Sequence, residues 1–480
     1  MLLFVPLLVM SMNSDRLLVP DAQTSPLSAE VWLTLPDQSL LLHREPDLVF
    51  QSGDPSANVR ATITIDSSIL YQVMEGFGAA MTDSSAWNLM RVMSSRQRDE
   101  VMRDLFTREG DGIGLSYVRI PIGASDFSVV DQTYDDMPRG ETDPQLEHFS
   151  INYDEAYIIP ALRMAQELNP QLRFMGSPWS APGWMKNTDR LHGGTLVPEF
   201  YPAFAAYLVR WIRTYGELGI SIDSLTPQNE PMHSSDGYPT MLISPEAQAE
   251  FVRDHLGPAM RDANLSTRLV IFDHNWDLYD YPLTVLSDPE AAAFVDGIAF
   301  HCYGGDVRVQ SAVHTIFPDK SIWFTECSGG AWAEGFANNL SWNIRNLVIG
   351  NFRHWGNSVM LWNLVLDQND GPQNGGCGNC RGVVEVDTEA GTITYNEEYY
   401  ILGHVSRFVD PGAHRIDSTE LFWGQPENVA FLNPDGSLVL LVHSVVDSTF
   451  AVNWQGQHFE YSLPGGAVVT FKWNGADASR

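Results

Sequence analysis

Eight short apolar runs recur along the middle of the chain, and each ends in a polar or aromatic cluster. Segments with the periodicity of amphipathic helices separate them, the clearest being Asp154–Leu168, Glu199–Leu218, Pro245–Ala263 and Asn338–Trp355. Strands that alternate with helices of this length predict βαβ units and a parallel sheet. The runs are Gly76–Asp83, Tyr117–Asp126, Arg173–Ser180, Ser224–Pro231, Arg268–Asp277, Gly297–Gly305, Ser321–Gly330 and Ser358–Asp367.

Eight such units favour an α/β fold of the closed (β/α)₈ type, the TIM barrel, over a doubly wound sheet. A dinucleotide-binding sheet would also need a Gly-x-Gly-x-x-Gly turn after its first strand, and the sequence has none there. Barrel enzymes keep their chemistry at the C-terminal ends of the strands. The polar clusters that close the runs are therefore the candidate functional residues.

The two ends of the chain alternate with period two and carry no helical pattern. This holds for Glu30–Ile65 and for Pro411–Trp473, where Asn433–Gly436 predicts a turn between two strands. We expect one β-sandwich built from both chain ends; two unrelated β-appendages are the alternative. The predicted division is a leader at 1–20, sandwich strands at 21–72, the barrel at 73–408 and further sandwich strands at 409–480.

Composition narrows the function. The 480 residues include 28 Lys+Arg against 60 Asp+Glu, a net charge of −32. This excludes a general nucleic-acid or anionic-membrane binder, because both need a basic face. The apolar run Leu2–Met10 is too short to span a membrane and resembles the core of a signal peptide, although no basic start or clear cleavage site accompanies it. A misplaced start codon would look the same. We expect a secreted or periplasmic protein.

The sequence indicates neither a metal nor a cofactor. Four cysteines do not make a disulfide scaffold. Cys377 and Cys380 form a single C-x-x-C without a second pair, so zinc is not expected, and a local disulfide or two free thiols remain open. In an exported protein the spacing favours the disulfide. No Gly-x-Ser-x-Gly elbow and no phosphate loop is present.

Two glutamates stand out at strand ends. Glu230 follows Asn229 at the end of the fourth run, and Glu326 closes the seventh. Ends of these strands converge at a barrel mouth, and two carboxyls about 5 Å apart are what a retaining glycosidase requires. A single glutamate would more simply be a solvated surface group, but two in this order predict a catalytic pair. A catalytically inactive carbohydrate-binding barrel is the rival interpretation.

Other strand-end residues fit sugar binding. Asp83 and Asp126 could bind hydroxyls, and His301 and Tyr303, two apart in a strand, point the same way and could orient Glu326; a structural histidine is the simpler reading. The buried Arg119 needs a carboxylate partner, for which the region of Glu326 is a candidate. Aromatic residues could stack on sugars or simply pack the barrel rim: Trp179, Trp184, Trp276, Tyr303, Trp332 and Trp362.

Five motifs, in order from about Gly76 to Phe408, resemble glycoside hydrolase family 30, which contains glucosylceramidases and β-1,6-glucanases. They are MEGFGAAMTDSSA, FMGSPWSAPGWMKN, LTPQNEP, GIAFHCYGG and FTECSGG. The resemblance implies retaining hydrolysis of a β-glucan or β-glucoside, with Glu230 as acid/base and Glu326 as nucleophile. It also implies that Asp83, Trp179, Asn229 and Trp362 hold the sugar and that Tyr303 contacts the nucleophile.

Within that family, the segments DRLHGG, DHNWD and CGNCRGVV look closer to the β-1,6-glucanases than to the ceramidases, and Cys302 stands where the ceramidase has an aromatic residue. The polar segment Met232–Tyr238 also suits a second sugar better than acyl chains. Residues after the third and fifth strands are expected to join this lining: Asn187, Asp189, His192, Asp273, His274, Asn275 and Trp276. The expected substrate is β-1,6-linked glucan, with glucosylceramide, or exo action on β-glucosides or β-xylosides, as alternatives.

Overall fold

A computed structural model describes Met1 and residues 26–333, 335–421 and 424–475; the rest of the predicted leader lies outside this range. The eight predicted strands are all present and parallel, and each begins at the predicted residue. In the hydrogen-bonded order of this sheet, the two edge strands are Ser321–Glu326 and Ser358–Asn363. A bridge between Ile322 and Gly356 joins these two edges and closes the barrel. The strands are Gly76–Ala80, Tyr117–Ile122, Arg173–Pro178, Ser224–Leu225, Arg268–Asn275, Gly297–His301, Ser321–Glu326 and Ser358–Asn363.

The predicted helices are present but broken. The helix expected over Pro245–Ala263 contains a π-helical turn, Val252–Leu256, immediately before Gly257-Pro258. Pro258 has no N–H to donate, so the wider turn keeps the helix continuous around it. The α-helices are Asp83–Trp87, Ser95–Phe106, Asn152–Glu155, Ile158–Leu168, Tyr201–Glu217, Pro245–Phe251, Gly257–Asp262, Asp280–Leu286, Pro289–Ala292, Val309–Ile316, Phe336–Asn343, Asn351–Arg353 and Glu397–Ser406. The other helical turns are Asn88–Val92, Val252–Leu256, Ile344–Gly350, Gly183–Met185, Pro198–Phe200 and Trp276–Leu278.

Strands from both chain ends are hydrogen-bonded into one ten-stranded sheet. The prediction of one β-sandwich built from both ends is therefore confirmed, and the alternative of two unrelated β-appendages is wrong. The first strand pairs with the last, and Ala61–Val73 lies between two C-terminal strands. The predicted turn at Asn433–Gly436 joins two of them. The strands are Ser28–Thr34, His43–Val49, Gln51–Ser52, Ala61–Val73, His414–Ser418, Glu427–Leu432, Ser437–His443, Ser448–Trp454, Gln457–Leu463 and Val468–Asn474.

The sandwich packs directly against the barrel. Along Ser437–His443, Leu440 and its alternate neighbours enter the sandwich core, whereas Val439 and Leu441 join the core that the barrel shares. A strand buried on both faces needs apolar residues at successive positions, which explains the run LVLLV. One sheet face therefore fixes the orientation of the sandwich on the barrel.

The connection after the eighth strand contains structure that the sequence did not predict. It forms a small sheet from Val365–Asp367, Val384–Asp387 and Thr392–Tyr395, and Cys380–Arg381 pairs with Gly329–Gly330. Cys377 and Cys380 are joined, so the disulfide expectation is confirmed over free thiols. A second, unpredicted disulfide joins Cys302 to Cys327. In the described part of the chain, no helix combines the length and apolar character needed to cross a membrane.

Candidate active site

Three one-residue bulges shape the C-terminal edge of the barrel. Asp273, Thr325 and Trp362 are each an extra residue in one strand, opposite a continuous pair in the neighbouring strand. A bulge bends the strand locally and re-aims its side chains. Each of these three residues lies within two positions of the end of its strand, so the bulges position side chains at the barrel mouth, where barrel enzymes hold their substrates.

The backbone around Glu230 is unusual. Glu230 has a φ of 44° and Asp273 a φ of 63°, values that non-glycine residues rarely adopt. The two segments are tied together, because the backbone N–H of Glu230 donates to the carbonyl oxygen of Asp273 at 2.9 Å. Pro227 also lacks the N–H that would extend the fourth strand, which ends at Leu225. The Asn-Glu pair is therefore presented from a turn rather than from a strand.

The two glutamates meet at the barrel mouth. One oxygen of Glu230, one of Glu326 and one ring nitrogen of His301 all lie within 4.8 Å of one another. Retaining glycosidases have their carboxyls about 5–5.5 Å apart, whereas inverting enzymes leave about 6.5–9.5 Å for a water. The side chain of Glu230 is 16% exposed and that of Glu326 7% exposed. The geometry therefore matches the retaining class.

Arg119 has the carboxylate partner that its burial demanded. Its Nη1 donates to Glu326, and its Nη2 donates to Asp273 and to Asn229 Oδ1, both at 2.7 Å. The guanidinium lies over the Trp179 ring, 4.8 Å from its centre. Arg119 thus connects the nucleophile candidate with the residue that precedes the acid/base candidate.

Asp273 lies beneath the pair and binds protein groups. It accepts hydrogen bonds from Arg119 and His301 and from three hydroxyls, those of Ser177, Thr226 and Thr325. Burial alone would raise its pKa, but Arg119 and His301 outweigh burial and hold the pKa well below its usual range. The expectation that Asp273 lines the leaving-group site is therefore wrong, because the residue is fully buried and its oxygens are taken.

His301 bridges two carboxyls. Its Nδ1 lies 3.1 Å from Glu230 and its Nε2 lies 3.0 Å from Asp273, while Glu326 is 4.0 Å away. The sequence suggested that His301 orients Glu326; its hydrogen bond is to Glu230 instead. Burial lowers the pKa of His301, but the charges of Glu326 and Asp273 outweigh it and raise the pKa to about 9. His301 is therefore an imidazolium that donates to both partners at neutral pH.

Glu230 and Glu326 influence each other's protonation. Burial raises the pKa of Glu326 and the negative charge of Glu230 adds to the rise, whereas His301 and Arg119 act in the opposite direction. Burial also raises the pKa of Glu230, but the hydrogen bond and charge of His301 lower it. The net result is a raised pKa for Glu326 and a lowered pKa for Glu230, so Glu326 is the member of the pair that keeps a proton to the higher pH.

The charge on His301 makes stability depend on pH. Its pKa is higher in the folded protein than the value of about 6.5 for an unfolded chain, so protonation favours folding. This contribution is complete below about pH 6.5 and is lost as the pH rises through about 9, a change of roughly 3 kcal/mol in the free energy of unfolding. Urea unfolding of the wild type and of His301→Asn across this range should show it as a difference that shrinks with pH.

Lys186 makes a contribution to the pH dependence of stability that is opposite in sign to that of His301. Burial lowers the pKa of Lys186 to about 7, so its own contribution rises with pH over the same range. That contribution is common to the wild type and His301→Asn. A stability difference between them that stays constant from pH 6.5 to 9.5 would contradict the raised pKa.

The six predicted aromatic residues divide into three pairs. Trp179 and Trp362 are buried and stacked, with ring centres 4.9 Å apart. Trp184 and Trp276 are buried in packing roles, since their indole N–H groups donate to Asp135 and Gln310. Tyr303 and Trp332 are exposed, and the Tyr303 hydroxyl donates to Glu326 at 3.0 Å.

Asp83 and Asp126 have different surroundings. The carboxylate of Asp83 accepts hydrogen bonds from the Val129 N–H and from the hydroxyls of Tyr153 and Tyr157, so protein donors hold both of its oxygens. Burial raises the pKa of Asp126 well above its usual range, and the charges of Glu326 and Glu230 add to the rise. Asp126 therefore lies within electrostatic reach of the pair.

The loop after the eighth strand closes over Asp126. A Cβ at Gly376, next to the Cys377–Cys380 bridge, would lie 2.3 Å from Asp126 Cβ, so only glycine permits this approach. Among the described residues, Glu230, His301 and Glu326 are the one group placed to share a metal ion. The hydrogen bond from Arg119 and the protonated imidazole argue against that use.

A closed barrel with two carboxyls at this separation, at the ends of its fourth and seventh strands, defines the protein as a glycoside hydrolase. Residues 74–409 match the Glycosyl hydrolase family 30 TIM-barrel domain, and residues 412–471 match the Glycosyl hydrolase family 30 beta sandwich domain. The chain belongs to glycosyl hydrolase family 30.

Relatives include enzymes with two different substrates in their names. Endo-1,6-beta-D-glucanase neg1 of Aspergillus fumigatus is 33% identical over 452 residues, covering 88% of this chain and 89% of its own. Lysosomal acid glucosylceramidase of Mus musculus is 30% identical over 439 residues, covering 86% and 83%. The solved structure of the endo-beta1,6-glucanase BT3312 superposes with a TM-score of 0.85 at 32% identity, covering 93% of this chain and 99% of that one.

Proposed function

We propose that the enzyme hydrolyses β-1,6-linked glucan by double displacement, with Glu326 as nucleophile and Glu230 as acid/base. The short distance between the two carboxyls carries the mechanism, because one oxygen of Glu230 and one of Glu326 lie within 4.8 Å of each other, closer to the spacing of retaining than of inverting enzymes. Glu326 attacks the anomeric carbon while Glu230 protonates the leaving oxygen. Glu230 then takes a proton from the water that releases the sugar from Glu326.

The surroundings support this division of roles. Arg119 and Tyr303 donate hydrogen bonds to Glu326, and such bonds favour the ionised form that a nucleophile needs. Glu230 is the more exposed of the two, which suits a group that meets both the departing oxygen and the incoming water. In the free enzyme the pKa of Glu326 is raised and that of Glu230 is lowered, so the proton that the first step consumes passes from Glu326 to Glu230 when the substrate binds.

The sugar at the cleavage position would be held by neighbours of the pair. Asn229 Oδ1 accepts from Arg119, which leaves the amide NH₂ as the group for a sugar hydroxyl. Asp83 is proposed as a second hydroxyl ligand, because its carboxylate accepts three hydrogen bonds and has about four lone-pair sites. Asp126 is proposed as a third. The stacked Trp179 and Trp362 would form the apolar wall beside them.

The choice of glucan rests on the relatives named endo-1,6-beta-glucanase at 32–33% identity and on polarity near Glu230. The hydroxyl of Tyr238 bonds to His233, so the segment after Glu230 presents polar groups. The hydroxyls of a sugar can hydrogen-bond with such groups, whereas acyl chains cannot. Glucosylceramide is the second candidate, because relatives with that name also match.

Values of kcat/KM for a substrate panel test the proposal. Gentio-oligosaccharides or pustulan should exceed glucosylceramide and a β-xyloside by about tenfold or more, equivalent to about 1.4 kcal/mol in transition-state binding. β-1,3- and β-1,4-linked glucans provide the matched controls, since they differ in linkage alone. If glucosylceramide or the xyloside were hydrolysed about tenfold faster, the substrate would be wrong while the two glutamates would keep their roles.

We also propose that the protein is exported, because both disulfides persist most readily in an oxidising compartment.

The proposed domain boundaries remain those of the sequence, with sandwich strands at 21–72 and 409–480 around a barrel at 73–408. The extents of the two family matches, 74–409 and 412–471, support the C-terminal boundary.

A further inference from the structure

A cleft beside the catalytic pair has no role in the mechanism above. It has a volume of about 490 Å³ and lies between the Cys302–Cys327 disulfide and the helix Phe336–Asn343. Tyr303 lines it with its ring while its hydroxyl donates to Glu326 at 3.0 Å. Tyr303 therefore links the cleft to the nucleophile of the proposed mechanism.

Three large aromatic side chains are left exposed around this cleft. Trp332 is 52% exposed, Trp342 45% and Tyr303 43%. Soluble proteins rarely expose large aromatic rings together without a ligand or partner for them. Amide and hydroxyl side chains lie between the rings, those of Asn339, Asn343 and Ser328.

Among the residues that the structure describes, none that lines the cleft is charged, although the chain carries 60 acidic residues. Flat apolar rings interleaved with neutral hydrogen-bonding groups suit a sugar unit, whose C–H face is apolar and whose rim is hydroxylated. The amides and the hydroxyl are also hydrogen-bonded within the protein, Asn343 to Asn339 and Ser328 to the Gly329 carbonyl oxygen, so the stacking rings carry the argument for a sugar.

The platforms are held in place before any ligand binds. The Trp332 ring lies against Gly330, where a Cβ would come within 2.0 Å of it, and Gly330 is paired with Cys380. The helix that carries Trp342 is fixed by Asn339, whose amide donates to Glu398 at 3.2 Å. Preorganised rings lose little freedom on binding, so they contribute more to affinity.

We propose that this cleft is a second sugar subsite, which binds a glucose unit of the glucan chain outside the position where the bond is cleaved, with Trp342 and Trp332 as stacking platforms. The inference rests on the proposed function and deepens it. It requires activity to increase with the length of the oligosaccharide, because only longer chains reach the cleft. The proposal also attributes the dependence of activity on chain length to the rings of Trp342 and Trp332, which take no part in bond cleavage.

The test compares Trp342→Ala and Trp342→Phe with the wild type on gentio-oligosaccharides of increasing length. Trp342→Ala should lower kcat/KM for the longest chains about tenfold and leave the shortest substrate unchanged, whereas Trp342→Phe should retain most of the activity, because a smaller ring still stacks. Tyr279→Ala is the matched control, because it removes an exposed aromatic residue outside the cleft. It should leave kcat/KM unchanged for both the longest chains and the shortest substrate. Equal losses on short and long chains, or no loss, would overturn the subsite.

A binding measurement separates this inference from the proposed function. Dissociation constants for gentio-oligosaccharides are measured by calorimetry in the Glu230→Gln background, with and without Trp342→Ala. Weaker binding in the double variant supports the subsite even if the wild type cleaved no β-1,6-glucan, a result that would overturn the proposed function alone. Unchanged binding overturns the subsite. A loss confined to octyl β-glucoside, with oligosaccharides unaffected, would also overturn it in favour of an alkyl ligand.

Discussion

Replacing Glu326 with alanine is expected to lower kcat by about 10,000-fold or more, the scale of loss when an enzyme loses its nucleophile. The variant has no carboxylate to form the covalent intermediate, but Glu230 can still protonate the leaving oxygen. Azide should therefore enter the space beside the anomeric carbon and restore turnover. One displacement on a β-glucoside inverts the centre, so the product should be the α-glucosyl azide, which NMR identifies.

Glu230→Ala provides the matched control, because it removes the other carboxyl of the same pair. Its first step should slow by about 100- to 10,000-fold for oligosaccharides but little for aryl glucosides, which depart without acid assistance. Azide would then attack the intermediate on Glu326 and give the β-azide after two inversions. If azide gave the β product with Glu326→Ala, or no product at all, the assignment of the nucleophile would be wrong.

Sequence patterns predicted the parts of the site that lie at strand ends. Glu230 and Glu326 could be found because each follows an apolar run, and the order of the runs in a barrel places the two ends together. Arg119 could be recognised as needing a carboxylate because a charge in an apolar strand must be paired. These inferences need only the period of the strands and the order of the elements.

The features that the sequence did not reveal depend on strand register and on contacts between segments that are distant in the sequence. Asp273 was expected to face the sugar, but a one-residue bulge places it beneath the pair, and alternation alone cannot show where a strand gains a residue. The Cys302–Cys327 disulfide depends on two loops meeting, which sequence spacing does not reveal. Asp83 remains a predicted sugar ligand; its hydrogen bonds from Tyr153 and Tyr157, which belong to a later helical segment, could not be predicted from its place at a strand end.

Arg119→Leu is expected to reduce the free energy of unfolding by about 3–5 kcal/mol at neutral pH, since removing one partner of a buried pair leaves the others uncompensated. The loss should shrink as the pH falls towards 4, because Asp273 and Glu326 can then accept protons in place of the guanidinium. Chemical denaturation of the wild type and variant across this range measures both effects.

Arg345→Leu, which breaks a partly exposed pair with Glu427, is the matched control and should cost less than about 1 kcal/mol. Combining Arg119→Leu with Asp273→Asn should cost less than the sum of the two single changes, because the second removes a charge that the first leaves unpaired. An Arg119→Leu protein no less stable than Arg345→Leu would show that the site does not depend on this cation.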